Sequence, residues 1–344
     1  MTKAAELAKM GEVLTNSQIG SRKNFIINGG MQLSQRASST SGVGASTPVF
    51  PCVDRFRIAV GGTTAGRATI SHSTDTPSGF SNSVKIDCTT ADTSISADEA
   101  IFFQTLLEGQ DLQRIKKGTS DAESLTLSFY VKGNASATYT CEIRDLDNDR
   151  INTQTFEVTT SWNRVILNFI PDTTGAFGVD NGASIQISFI LHAGSTYTSG
   201  TFASNTWAAR VQGNRASPSQ TSIFDSTDRE LFMTGVQLEV GSVATPFEHL
   251  SVAENLQLCQ RYYYLAQNFY GGIINASNTT LIRQYNTFPV QMRNTPSVTL
   301  GAISSGWSLS TVAIQTQGHS VEYSASARTD FRPAITNQKY DAEF

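Results

Sequence analysis

Four stretches in the middle of the chain place apolar residues at every second position. They are Leu125, Leu127, Phe129 and Val131; Tyr139, Cys141 and Ile143; Val165, Leu167 and Phe169; and Ile185, Ile187, Phe189 and Leu191. A period of two is the signature of strands with one buried face. Phe56, Ile58 and Val60, and Val84, Ile86 and Cys88, repeat the pattern earlier. No helix-length segment alternates with these strands as a parallel sheet would need, so the pattern predicts an all-β, two-sheet sandwich. The chain has 344 residues, enough for about two domains.

Charged residues make up 16% of the chain, against about 25% for an ordinary soluble domain. Ser, Thr, Asn and Gly take their place, which suits short strands joined by small-residue turns. The net charge of -4 gives no surface for neutralising phosphates, which argues against nucleic acid as a partner. No apolar run approaches the roughly 20 residues that span a bilayer, and residues 1–20 lack the apolar centre of a signal peptide. The expectation is assembly in the cytoplasm without membrane insertion. Cys52, Cys88, Cys141 and Cys259 have no CxxC spacing and are expected to be reduced core residues.

Residues 3–14 place Ala4, Leu7, Met10 and Leu14 on one face of a short helix, too short to stand without a partner surface. Between Ala97 and Lys117 lies a second helix signal. Ser96 and Glu99 have capping-box spacing, and Ile101, Phe102, Leu106 and Leu107 recur at helical intervals. Gly109 and Gly118 limit it to one or two turns. Ala193–Asp228 reads as a loop of more than thirty residues, a length that is functional or partly disordered in compact domains.

Three separated pieces carry a resemblance. The first is Asn24-Phe-Ile-Ile-Asn-Gly-Gly-Met-Gln-Leu-Ser-Gln-Arg36, followed by Asp54-Arg55-Phe56. The second is Glu108-Gly-Gln-Asp-Leu-Gln-Arg114, leading into Leu125–Lys132. The third runs from Thr234 to Tyr264. There Phe232, Thr234, Val236, Leu238 and Val240 alternate with Leu231, Met233, Gly235, Gln237 and Glu239, before Gly241 and Pro246 break the strand. A short helix from Ser251 or Glu254 through Cys259 follows. In this order the pieces closely resemble a module of bacteriophage tail-fibre and virion structural proteins. Phe288–Pro296 and Tyr340–Phe344 also resemble that family's C-terminal region.

The resemblance implies a non-enzymatic virion component whose sandwich is a jelly roll like those of carbohydrate-binding modules. It implies an N-terminal anchor at residues 1–21 docking to other tail or capsid proteins, a jelly roll at 22–250 and a β-rich distal domain at 251–344. Partners would be host-surface polysaccharide or another receptor, and two further copies in a homotrimer. The trimer would use the N-terminal helix and the stripe Leu256, Cys259 and Tyr263, unless a monomer buries that stripe itself. Carbohydrate-binding jelly rolls often hold a structural calcium, whose ligands here the sequence leaves unidentified; no other cofactor is implied. The alternatives are a capsid decoration or head-fibre protein and a polysaccharide-degrading tailspike. The last usually carries a β-helix, and no short coil unit repeats here.

Asp145, Asp147 and Asp149 match the first carboxylate positions of a calcium loop, but Arg150 replaces its glycine and Phe156 its final glutamate. A hairpin turn is the better reading. His72, His192, His249 and His319 show no telling spacing to a carboxylate, and no GxSxG, P-loop or GxGxxG occurs. Candidate ligand-binding residues are aromatics in polar loops: Tyr197 and Trp207, with Phe202 nearby, and Trp307 in the distal domain. Exposed aromatic faces stack on sugar C–H surfaces. The competing reading is that Trp207 anchors its own loop. Trp162, before a strand, is read as a packing residue at a sheet edge.

Overall fold

The computed structural model describes residues 3–4, 22–45, 49–270, 281–303, 307–325 and 334–344. Nearly all of the segment 1–21, with the helix expected over 3–14, lies outside them. The chain forms two compact units, Met1–Leu250 and Ser251–Phe344.

Among the described residues the first unit holds twelve strands. They begin with β1 (Ser39–Val43), β2 (Arg57–Gly61), β3 (Arg67–Ser73) and β4 (Ser83–Thr90). Then come β5 (Ala100–Glu108), β6 (Leu125–Gly133), β7 (Ala137–Asp145) and β8 (Arg150–Val158). The last are β9 (Asn163–Phe169), β10 (Ala183–Ala193), β11 (Ala208–Ala209) and β12 (Glu230–Val240). One sheet runs β1-β3-β4-β12-β6-β9 and the other β11-β8-β7-β10-β5-β2, and the strand pairs are antiparallel. This is the jelly-roll sandwich. The alternating residues of β6, β7, β9 and β10 meet between the sheets in one core. Phe129 lies edge-on to Phe156 and Phe189 at 5.1 and 5.0 Å, and Phe56 stacks on Phe103 at 5.1 Å.

The helix expected over 97–117 is instead β5, with single 3-10 turns at Gly109–Asp111 and Gln113–Ile115. Every residue of β5 is buried. Ile101, Phe103 and Leu107 enter the main core, whereas Phe102 packs outside it with Ile190, Tyr197 and Ala216. A strand buried on both faces reads as a continuous apolar run, which periodicity does not separate from a buried helix. The Ser96–Glu99 pair does form. Ser96 N donates to Glu99 Oε2 at 3.0 Å, closing a turn that enters a strand.

The three pieces that carry the family resemblance meet in space. Phe25 N donates to Leu238 O, and Val236 N to Gly29 O, both at 2.9 Å, so the chain after residue 22 lies along β12. Glu248 accepts from Lys23 N at 3.1 Å and Asn24 N at 2.8 Å. Arg114 closes the clasp. It donates to Arg22 O (2.6 Å) and Lys23 O (2.7 Å), and its guanidinium stacks 3.8 Å over Phe25. Arg55 reaches β5 through Leu106 O at 2.7 Å.

The second unit opens with helix α2 (Val252–Gln260), after the single-turn α1 (Ser195–Thr198) of the first unit. Its capping box is complete: Glu254 N donates to Ser251 Oγ and Ser251 N to Glu254 Oε2. The strands β13 (Tyr263–Tyr270), β14 (Leu281–Thr287), β15 (Ser297–Thr299), β16 (Trp307–Gln315), β17 (Gly318–Ala325) and β18 (Ala334–Asp341) form two sheets. Their orders are β13-β18-β15 and β14-β17-β16. Cys259, Tyr262 and Tyr263 are buried within this unit, with Tyr262 packed on Phe344. The stripe expected to join copies is therefore largely spent inside the subunit, and Leu256 is half-buried.

Candidate functional site

On β6, Leu125, Leu127, Phe129 and Val131 point into the core, so Tyr130 and Lys132 face outward. By the same alternation Lys85 of β4 and Arg164 of β9 also face outward. On β12 the phase changes. Leu231 and Met233 are core residues, but so are Val236 and Leu238. A register shift between Thr234 and Gln237 supplies the extra residue of a bulge, with Gly235 at φ +65°. Phe232 thereby joins the outward face, contrary to the unbroken alternation expected from sequence.

This face carries a strip of aromatics. Trp162, just before β9, lies edge-on to Phe232 at 6.3 Å. Its Nε1 donates to Asp75 Oδ1 at 3.0 Å. Lys132 also donates to Asp75, and its ammonium sits 5.8 Å from the Trp162 ring and 4.9 Å from the Phe232 ring. These two bonds, from Lys132 and then Trp162, hold the Asp75 carboxyl below its ordinary value. Lys85 flanks Phe232 at 5.7 Å and pairs with Glu230 at 2.6 Å.

Farther along, Phe80 packs on Tyr130 (5.3 Å), Phe247 (5.0 Å) and His249 (5.3 Å), with Arg164 5.9 Å from Tyr130. Only glycine fits beneath them. A Cβ on Gly235 would come within 2.7 Å of Phe80 and 2.9 Å of Tyr130. Phe247 and His249 are delivered by the turn that Glu248 ties to the clasp: Glu248 N donates to Gln237 Oε1 at 2.8 Å. Trp162, Tyr130, Phe80 and Phe247 are half-buried and His249 is exposed, whereas Phe232, covered by Lys132, Lys85 and Trp162, is only 7% exposed. The strip offers ring faces flanked by two ion pairs, Lys132–Asp75 and Lys85–Glu230, and by Arg164, which donates to Ser128 Oγ and Thr245 O.

The aromatics singled out in the sequence lie elsewhere. Tyr197 is 7% exposed and sits edge-on to Phe102 at 5.6 Å. Arg215 covers both rings and forms a two-bond pair with Glu142 at 2.8 and 2.7 Å. Trp307, expected as an exposed platform, is 6% exposed and belongs to the second unit. Trp207 is half-buried against the main core, and its Nε1 donates to Ile170 O at 2.8 Å, as the loop-anchor reading expects. The segment 193–228 is held down by its own large residues, including buried Ile223 and Phe224; Tyr197 is buried with them, whereas Trp207 keeps part of its surface exposed. Trp162, read as packing, is the one on the strip.

The histidines include one pairing that sequence spacing does not show. His192 contacts Ser222 Oγ through Nδ1 at 2.7 Å and Glu99 Oε2 through Nε2 at 3.4 Å. The ring is fully buried under Phe224, and burial lowers its pKa. With no solvent path to the imidazole, this grouping ties strand ends together. Asp145 forms the hairpin turn between β7 and β8, its Oδ1 accepting from the N–H groups of Asp147 and Asn148 at 3.0 and 3.1 Å.

No protein-family model and no curated protein sequence matches the chain. Solved structures of similar strand arrangement are carbohydrate-binding modules. One, described as CBM4, shares 12% identity over 62% of this chain and 97% of its own, with a TM-score of 0.32. TmCBM61, solved with β-1,4-galactotriose, shares 12% over 64% and 99%, at 0.31. The xylan-binding CBM22-1 domain of Paenibacillus barcinonensis Xyn10C shares 11% over 65% and 100%, at 0.29.

Proposed function

We propose that this chain is a non-enzymatic virion structural protein of a bacteriophage, a tail-fibre or spike subunit that recognises glycans on the host surface. The observation that carries the recognition reading is the strip of Trp162, Tyr130, Phe80, Phe247 and His249 on the outward face of β12, β6 and β9, backed by the buried ring of Phe232. Half-exposed ring faces receive the C–H surface of a sugar, and flanking carboxylate, ammonium and guanidinium groups bond its hydroxyls. Lys85 and Lys132 are each paired with a carboxylate, and among the described residues Arg164 is the one cation on the strip bonded only to neutral oxygens, which suits a neutral or weakly acidic glycan. The phage reading rests on the three sequence pieces, which the fold joins into one clasp. Attachment through residues 1–21 and a homotrimeric state belong to the same proposal.

Purified protein added to host cells tests it. It should adsorb to the cells and compete with phage adsorption; failure to do either overturns the reading. Placement of the subunit at the tail in a particle reconstruction distinguishes the fibre from a capsid decoration protein. Release of reducing ends from host polysaccharide would establish the tailspike reading instead.

A further inference from the structure

The side chain of Lys117 ends in a cage of oxygens. Its Nζ lies 2.7 Å from Asp145 Oδ2 and 3.1 Å from Asp172 Oδ2. It also lies 2.6 Å from Thr174 O and 2.8 Å from Gly175 O. The Lys117 side chain is 2% exposed, and those of Asp145 and Asp172 are 0% and 4% exposed. An ammonium carries three protons, yet four oxygens converge on this one. Two carboxylates and two peptide carbonyls at such range are the ligand set of a hard cation.

The backbone around the cage is shaped for the purpose. Lys116 at φ +52° and Gly118 at φ +83° bracket Lys117, and Gly118 N donates to Asp172 O at 3.0 Å. Each carboxylate is fixed by other donors. Asp145 Oδ1 holds the hairpin turn, and Asp172 accepts from Arg150 Nε and Nη2 at 2.8 and 3.0 Å. Phe177 and Trp207 wall the remaining side, 5.4 and 5.9 Å from the ammonium.

We propose that Lys117 is the sandwich's own structural cation: its ammonium fills a metal-type cage, and removing it creates a calcium site at Asp145, Asp172, Thr174 and Gly175. The structural calcium that the family resemblance implies therefore does not fit at this site in the natural chain. An ion would have to expel a buried ammonium and share Asp172 with Arg150. Without the lysine stem, a contraction of a few tenths of an ångström brings the four oxygens to roughly the 2.3–2.6 Å of calcium ligation, and water completes the shell.

Thermal melts of the full-length chain with excess EDTA and with millimolar calcium test this. The natural protein should melt at the same temperature in both. Lys117→Ala should melt lower in EDTA and recover by about 5 °C or more in calcium, with calorimetry showing one ion per chain. Lys117→Ala combined with Asp145→Asn should lose that response. If Lys117→Ala does not fold without calcium, its refolded yield should rise with calcium, and Lys117→Met supplies a neutral side chain of similar length that keeps the melt measurable. The proposal is overturned if EDTA lowers the natural protein's melting temperature. It is equally overturned if Lys117→Ala shows neither calcium-dependent melting nor calcium-dependent refolding.

Discussion

Asn24 donates its side-chain amide to the carbonyl of Val236 at 3.1 Å, across 212 residues of sequence. Its Oδ1 accepts in turn from Leu238 N and Ile26 N at 3.0 and 2.9 Å. One buried amide thus extends the sheet hydrogen bonding of β12 to a segment that forms no strand. Asn24→Ala strands three peptide groups without partners, each costing about 1–3 kcal/mol when buried. Partial rescue by water leaves an expected loss of roughly 3 kcal/mol, read from urea melts of the first unit. A loss below about 1 kcal/mol would show that the clasp contributes little.

Gly235 carries two demands at once, a left-handed backbone and room for Phe80 and Tyr130. Gly235→Ala should therefore destabilise by about 2–4 kcal/mol, through backbone strain plus displaced rings. It should also disturb the strip, changing Trp162 fluorescence even in the folded protein. Unchanged stability would mean the bulge relaxes without cost.

Asp75 is held ionised by Lys132 and Trp162. Its folded pKa is depressed, so its contribution to stability is present above the unfolded value of about 3.9. That contribution is lost as pH falls through the lower folded value. Its side chain is 43% exposed, so solvent screening keeps the contribution below about 1 kcal/mol. Asp75→Asn should be slightly less stable than the natural chain at pH 6 and indistinguishable from it near pH 2. A stability gap that persists in acid would contradict the assigned cause.

All four cysteines are buried thiols, none of them in a disulfide. Burial pushes the Cys52 thiol up to about 11 and raises Cys88, so the thiolate needed for reaction is scarce at neutral pH. The native protein should therefore resist a disulfide reagent at pH 8 and release four thiols once denatured. Rapid modification of the native state would show an opening the fold does not provide.

The sandwich was legible because Leu127, Phe129, Ile187 and Phe189 obey a strict period of two, and burial of one face enforces that period. Two other features hid. Phe102 is buried on the far side of β5, which turned a strand pattern into an apparent helix. The bulge at Gly235 shifts the facing of β12, and no local composition marks which residue is the extra one. The aromatic strip depends on that shift, since it is what brings Phe232 to Lys132 and Trp162. Aromatic residues in a polar loop were a sound signal for exposure only if the loop stood free. Tyr197 and Trp207 instead supply the contacts that hold it down.

The strip is tested most directly by comparing two tryptophans in one assay, binding of the full-length protein to host-surface polysaccharide. Trp162→Ala should weaken binding by about 1–3 kcal/mol, roughly 5- to 150-fold, with little change in the melt. Trp207→Ala should lower the melting temperature, because it removes a loop anchor, and leave affinity intact. The reverse pattern, with affinity lost at Trp207 and kept at Trp162, would contradict the assignment of recognition to this face.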